Sequence, residues 1–203
     1  MSLEAKNLSF CYHRKSAKPV LHRVNLTLEP GERVGLVAPS GRGKTTLCKL
    51  LSGYERPDEG EILLDGKPLS GYRGCCPVQM IWQHPEEVVD PLLRLGETVN
   101  EGGAVDESLL RALNIEPGWL ERYPAELSGG ELQRFCIARA LNPATRYLLC
   151  DEISAMLDLI TQAQIWELVL DQAKQRNLGL LIVSHTPQLL ERLCTRVVDL
   201  DSL

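Results

Sequence analysis

No apolar run in this sequence approaches the roughly 20 residues that a bilayer-spanning helix needs; the longest uninterrupted aliphatic run is LLIV at 180–183. The first ten residues also lack the apolar h-region of a signal peptide. The expectation is therefore a soluble chain whose role at a membrane, if any, requires a partner. Positive charge is not in excess either, with 22 Lys and Arg against 27 Asp and Glu and a net charge of -5. That balance argues against a protein that coats polyanions, so no nucleic-acid partner is expected. There is no C-x-x-C pair among the seven cysteines, an odd number that reads as reduced thiols in a cytosolic protein. Cys75-Cys76 and the four histidines do not reproduce zinc-ligand spacing, and no structural metal is expected. Internal repeats and low-complexity segments are absent as well.

What is present begins with enough apolar residues, 44% of 203, for one full-sized core. The chain is organised around residues 33–53, RVGLVAPSGRGKTTLCKLLSG, which run from an apolar strand through a glycine-rich turn into a segment of helical periodicity. Gly53 suits a helix C-cap. Such a turn converges backbone N–H groups and the positive end of a helix dipole on a phosphate. Ser40, Gly41, Arg42 and Gly43 would form the cradle. Lys44 and Thr46 would reach phosphate oxygens, and the Thr45 hydroxyl would ligate a Mg²⁺ bridging them. The strict motif begins with Gly, whereas this chain has Ala38, which is tolerable where φ stays negative. The bland alternative is a glycine-rich turn that binds nothing.

Residues 2–10 and 20–28 alternate as two strands joined by a polar loop at 13–18, and 61–64 followed by Asp65-Gly66 reads as a strand entering a hairpin. Together they predict a small antiparallel layer. Strand 77–82 ends at Gln83. Residues 86–142 turn helical, with helices over 106–113 and 128–141, and read as an inserted helical subdomain in a core formed by 1–85 and 143–203. Strands and helices then alternate: strand 147–150, helix 161–176, strand 178–184, helix 187–194 and strand 196–200. That alternation predicts an α/β fold with a parallel sheet.

Three further features sit where such a sheet places ligands, beyond the carboxyl ends of its strands. YLLCDE ends in Asp151, suited to supporting a metal through its water shell, and Glu152, suited to a general base or water-orienting role. His185 follows the strand 180–184 and is placed for a contact to a γ-phosphate. Gln83 closes a fourth strand, where it orients water, reaches the metal or is an ordinary loop amide. Separately, Ser128, Gly129 and Gly130 open a helix. Ser128 and Glu131 fit a capping box that explains those two residues locally, but the paired glycines leave a second anion-competent helix terminus.

In their order along the chain, these motifs resemble the ATP-binding cassette ATPases. APSGRGKTT resembles the Walker A loop, Gln83 the Q-loop, LSGGE the family signature, YLLCDE the Walker B strand, residues 155–158 the D-loop and Ser184-His185 the H-loop. The resemblance implies a P-loop NTPase fold with a RecA-like parallel sheet, ATP and Mg²⁺ as cofactors, and an aromatic ring stacking on adenine. Tyr12 is the first candidate for that ring, with Phe10 competing. It also implies ATPase activity with Glu152, His185 and Gln83 in catalytic positions and Thr45, Gln83 and Asp151 around the metal. Two cassettes would dimerise head to tail, so that Ser128, Gly129 and Gly130 of one chain complete the site on the other. Within the family, RYPAELSGGELQRFCIARAL and CDEISAMLDLITQAQIW look most like importers of peptides, nickel and metal chelates. That implies permease subunits holding the chain at the inner face of the membrane, and a substrate-binding protein. Two alternatives stay open: a soluble cassette with no transport role, and a weakly hydrolysing regulatory cassette of a heterodimer.

Overall fold

The computed structural model describes residues 2–12, 19–155 and 157–203. The expected polar loop at 13–18 lies outside these. Two sheets organise the chain. The first is antiparallel, in the order β2-β1-β4-β5, from β1 (Leu3–Phe10), β2 (Leu21–Leu28), β4 (Glu59–Leu64) and β5 (Lys67–Pro68). The turn between β4 and β5 places Asp65 at φ 54° and Gly66 at φ 76°, the paired positive values that a two-residue hairpin requires.

The second sheet is wholly parallel, in the order β6-β7-β8-β3-β9. It comprises β3 (Arg33–Val37), β6 (Val78–Ile81), β7 (Tyr147–Asp151), β8 (Gly179–Val183) and β9 (Arg196–Asp199). β7 and β8 are buried at every residue, which is why they read as continuous apolar runs and not as alternating ones. The two faces serve different cores. Leu148, Cys150, Leu180 and Ile182 face a cluster that includes Leu95, Val99, Phe135 and Trp166. Tyr147, Leu149, Leu181 and Val183 face one shared with the antiparallel layer and with α1 (Lys44–Leu51). Helix α1 ends where Gly53 takes φ 80° and the Tyr54 N–H reaches back to the Lys49 carbonyl at 2.9 Å.

Between the two stretches of central sheet lie α2 (Leu95–Val99), α3 (Glu107–Ala112), α4 (Gly129–Ala140) and three single 3₁₀ turns, each opened by a proline at Pro85, Pro117 or Pro124. Asp106 caps α3 from outside by accepting the Ser108 N–H at 2.6 Å. The last helices are α5 (Leu159–Arg176) and α6 (Pro187–Leu193). Helix α5 starts two residues before the expected Thr161. The reason is Asp158, whose Oδ1 accepts the N–H groups of Ile160 and Thr161 at 3.0 Å each and sets the first turn there. Among the described residues no helix is long and apolar enough to cross a membrane, and Cys48, Cys75, Cys76, Cys136, Cys150 and Cys194 are free thiols.

Candidate functional site

The sheet order dictates the site. Strands β6, β7, β8 and β3 are consecutive neighbours running the same way, so the residues after each carboxyl end emerge on one rim. There a cleft of about 490 Å³ is lined by Ser40, Gly41, Gly43, Lys44, Thr45 and Thr46 from the loop, by Gln83, Glu152 and His185 from the strand ends, and by Tyr12 and Val20.

The loop is already curled. Lys44 is buried, and its Nζ donates to the carbonyls of Ala38 at 2.8 Å and Pro39 at 3.2 Å, tying the loop's two ends together. Gly43 has φ 101°, and a Cβ there would stand 2.9 Å from Leu21 Cδ2, so only glycine fits. Ala38 is not among the described residues of positive φ, so the methyl costs nothing at that position. No side chain among the described residues caps α1, which leaves its first-turn N–H groups to an anion.

Beneath the loop, Asp151 is 3% exposed. Burial pushes its carboxyl above the usual aspartate range, while a hydrogen bond from the Thr45 hydroxyl and the nearby Lys44 charge pull the other way. The hydrogen bond thus joins a buried carboxylate, Asp151, to the exposed, hydroxyl-bearing Thr45 of the phosphate loop. Glu152 turns the opposite way, into the cleft, and its Oε1 lies 2.8 Å from His185 Nε2. The turn is made by the backbone: Glu152 adopts φ 52°, with its N–H on the Val183 carbonyl at 3.1 Å. Tyr12 and Phe10 meet edge to face at 4.9 Å, but Phe10 is buried while Tyr12 is half exposed with its hydroxyl 3.2 Å from Thr46 Oγ1. Of the two rings, Tyr12 is the one over the cleft.

Two expected groups are elsewhere. Arg42 leaves the cleft and pairs with Asp201, through Nε at 2.8 Å and through Nη2. Asp201 sits on the turn after β9, the strand next to β3, and offers a carboxylate within reach of the loop's outer side. Ser128, Gly129 and Gly130 do not line the cleft among the described residues. They form the N-terminus of α4, with a full capping box: Ser128 N–H to Glu131 Oε2 at 2.7 Å and Glu131 N–H to Ser128 Oγ at 3.4 Å. The capping box thus accounts for Ser128 and Glu131, and it leaves Gly129 open to solvent.

One polar residue gave no signal in the sequence. Ser154 is buried, and its Oγ accepts from Trp166 Nε1 at 3.0 Å and Gln162 Nε2 at 2.7 Å, which pins the turn after Glu152 to α5.

A parallel sheet with a phosphate loop after one strand, a buried Asp under it and a Glu-His pair at the next strand ends defines a P-loop nucleotide-binding protein. Residues 21–155 match the model of the ABC transporter family, and the chain belongs to that family as one of its ATP-binding subunits, an ATPase. It is 39% identical over 208 residues to the nickel import ATP-binding protein NikE of Rhodospirillum rubrum, an alignment covering 93% of this chain and 74% of that protein. It is 35% identical over 201 residues to NikE of Escherichia coli K12, covering 90% and 75%. Among solved structures it resembles an ATP-binding subunit of an ABC transporter, with a TM-score of 0.84, 27% identity, and 98% and 85% of the two chains covered. A dimeric bacterial ABC transporter cassette shares the fold with a TM-score of 0.83, 24% identity and coverage of 97% and 93%.

Proposed function

We propose that this chain hydrolyses ATP to drive an uptake transporter for nickel, peptides or metal chelates. In this reading it is one of two cassettes held at the inner face of the membrane by permease subunits, in a system with a substrate-binding protein. The observation that carries the site reading is the division of its anion-competent features. Lys44, Thr45, Gln83, Glu152 and His185 share one cleft, while Ser128, Gly129 and Gly130 open a helix elsewhere on the surface. A single nucleotide contacting both sets needs a second cassette to supply the second one. The likeness to nickel import proteins supports the cargo class.

The residues divide the chemistry as follows. The curled loop and the uncapped α1 terminus hold the phosphates, with Tyr12 offering its face to the base. A Mg²⁺ would neutralise phosphate charge as leaving-group charge develops, held by the Thr45 hydroxyl with Gln83 and, through water, Asp151. The fit rests on the Thr45 hydroxyl, which lines the cleft and is hydrogen-bonded to the buried Asp151. No cluster of three His, Cys, Asp or Glu able to hold a metal occurs among the described residues, and an ion held largely by phosphates needs none. Glu152 Oε1 is engaged by His185 Nε2, so Oε2 is the atom left to accept a proton from the attacking water.

The test is Glu152→Gln, which keeps the shape and removes the base. Turnover is expected to fall by about 10²- to 10⁴-fold with ATP still bound, and the variant should collect as an ATP-loaded dimer on size exclusion. Wild-type turnover in that variant would end the role given to Glu152. Isolation of the tagged chain from solubilised membranes, with identification of copurifying multispanning subunits, tests the transporter assignment separately.

A further inference from the structure

Helix α4 carries Ser128–Gly130 at its N-terminus, and one turn further in it carries Gln133, which is 3% exposed. Gln133 Nε2 donates to the Trp82 carbonyl at 3.1 Å, and Trp82 immediately precedes Gln83. Six positions along the same helix, about 9 Å of rise, Arg139 Nη1 donates to the Val88 carbonyl at 2.9 Å. Both ends of the segment 82–88 are therefore held by side chains of α4. The geometry at Gln133 is costly for a purely structural residue. Its Oε1 is buried without a hydrogen-bond partner among the described residues, so an apolar side chain of the same length would fill the space without that orphaned acceptor. What the amide adds is a fixed bond to one backbone atom beside Gln83.

We propose that Gln133 is a positioning residue for ATP hydrolysis: its buried amide locks the backbone beside Gln83 to the helix that presents Ser128–Gly130. The place of Gln83 in the cleft and the orientation of α4 are then set together, and a shift of either moves the other. This rests on Gln83 acting in the cleft, as in the proposed function.

The experiment is steady-state ATPase assay of Gln133→Met, Gln83→Ala and the double variant, with thermal midpoints. Methionine keeps the length and volume and removes the donor. Gln133→Met should lower kcat by about 10- to 100-fold, the scale of a misplaced catalytic group, with KM for ATP and the thermal midpoint near wild type. Because Gln133 acts through Gln83, adding Gln133→Met to Gln83→Ala should change kcat by less than about twofold. Wild-type kcat in Gln133→Met, or losses that multiply in the double variant, overturns the proposal while leaving Gln83 in its role. Wild-type kcat in Gln83→Ala removes the assignment of Gln83 itself, and the proposal with it. If Gln133→Met does not fold, Gln133→Asn, whose shorter amide cannot reach the Trp82 carbonyl, is read by the same criteria.

Discussion

Arg42 and Lys44 stand two residues apart in the same loop, and in the sequence both read as parts of one phosphate-binding loop. The structure separates them: Lys44 is buried inside the loop on two of its carbonyls, whereas Arg42 is half exposed and occupied by Asp201. A carboxylate 159 positions away in the chain is invisible to any reading of local motif, and it changes what the loop's outer charge does. The consequence is an asymmetry in ATP affinity. Lys44→Ala removes the buried charge that the proposed function assigns to phosphate, and is expected to weaken ATP binding by about 100-fold or more, on the scale of a charge-assisted bond of 1.5–3 kcal/mol taken together with the desolvated site. Arg42→Ala breaks an exposed ion pair worth about 0–1 kcal/mol and should alter the ATP KM by less than about fivefold. Equal losses in the two variants, measured by nucleotide titration, would show that Arg42 leaves Asp201 for the phosphate. The residues at the strand ends were more legible. The positions of Glu152, His185 and Gln83 followed from the sheet rule, because each comes directly after an apolar strand. The left-handed backbone of Glu152 did not, since it depends on the Val183 carbonyl of the neighbouring strand.

Among the elements, turn chemistry was readable and strand pairing was not. Asp65-Gly66 and Gly53 announce their backbone by residue type alone, and both take the positive φ expected of them. Strand β4 was read from Glu61, because RPDEG at 56–60 reads as a turn. It in fact begins at Glu59, and Gly60 is an integral part of it. At that point the pairing of β1 with β4 slips between Lys6 and Ser9, Asn7 turns to φ 51°, and Gly60 at φ 83° packs against the bulged backbone. A Cβ on Gly60 would lie 2.3 Å from the Lys6 carbonyl oxygen and 2.4 Å from that of Asn7, neither of which can yield without breaking the layer. Gly60→Ala should therefore destabilise the protein by more than about 2 kcal/mol, read as a lowered urea midpoint at constant slope. Gly66→Ala serves as the comparison, because its Cβ would meet nothing within 4 Å and only the φ penalty remains. The start of α5 moved for a local reason: Asp158 had been read for its place in a motif, but it is the helix cap, accepting N–H groups two and three residues on.

At the scale of the molecule, the helical region at 86–142 shares a core with the parallel sheet. Its apolar residues Val99, Leu109, Leu113 and Ile115 belong to the same cluster as Leu148, Cys150, Leu180 and Ile182 of the parallel sheet. The sheet's other face belongs to the cluster that holds the antiparallel layer, through Leu149, Leu181 and Val183. Every residue from Tyr147 to Cys150 and from Leu180 to Val183 is thus committed to one side or the other, and neither cluster can lose its half of the sheet without exposing the other's backing. Unfolding should be a single cooperative transition. The three tryptophans make this measurable by region: Trp119 reports the helical side, Trp166 the cluster beneath α5, and Trp82 the opposite cluster, where Lys49 lies 4.8 Å from its ring centre and Tyr54 meets it at 5.2 Å. In variants retaining one tryptophan each, the urea transitions followed by emission should coincide with one another and with loss of far-ultraviolet circular dichroism. An earlier transition at Trp119 would mean that the helical region opens by itself. Coincidence has a mechanical consequence: α4 can then bring Ser128–Gly130 to another cassette only by rotating as a packed body on the sheet, which requires its grip on the segment 82–88 to be transmitted and not dissipated.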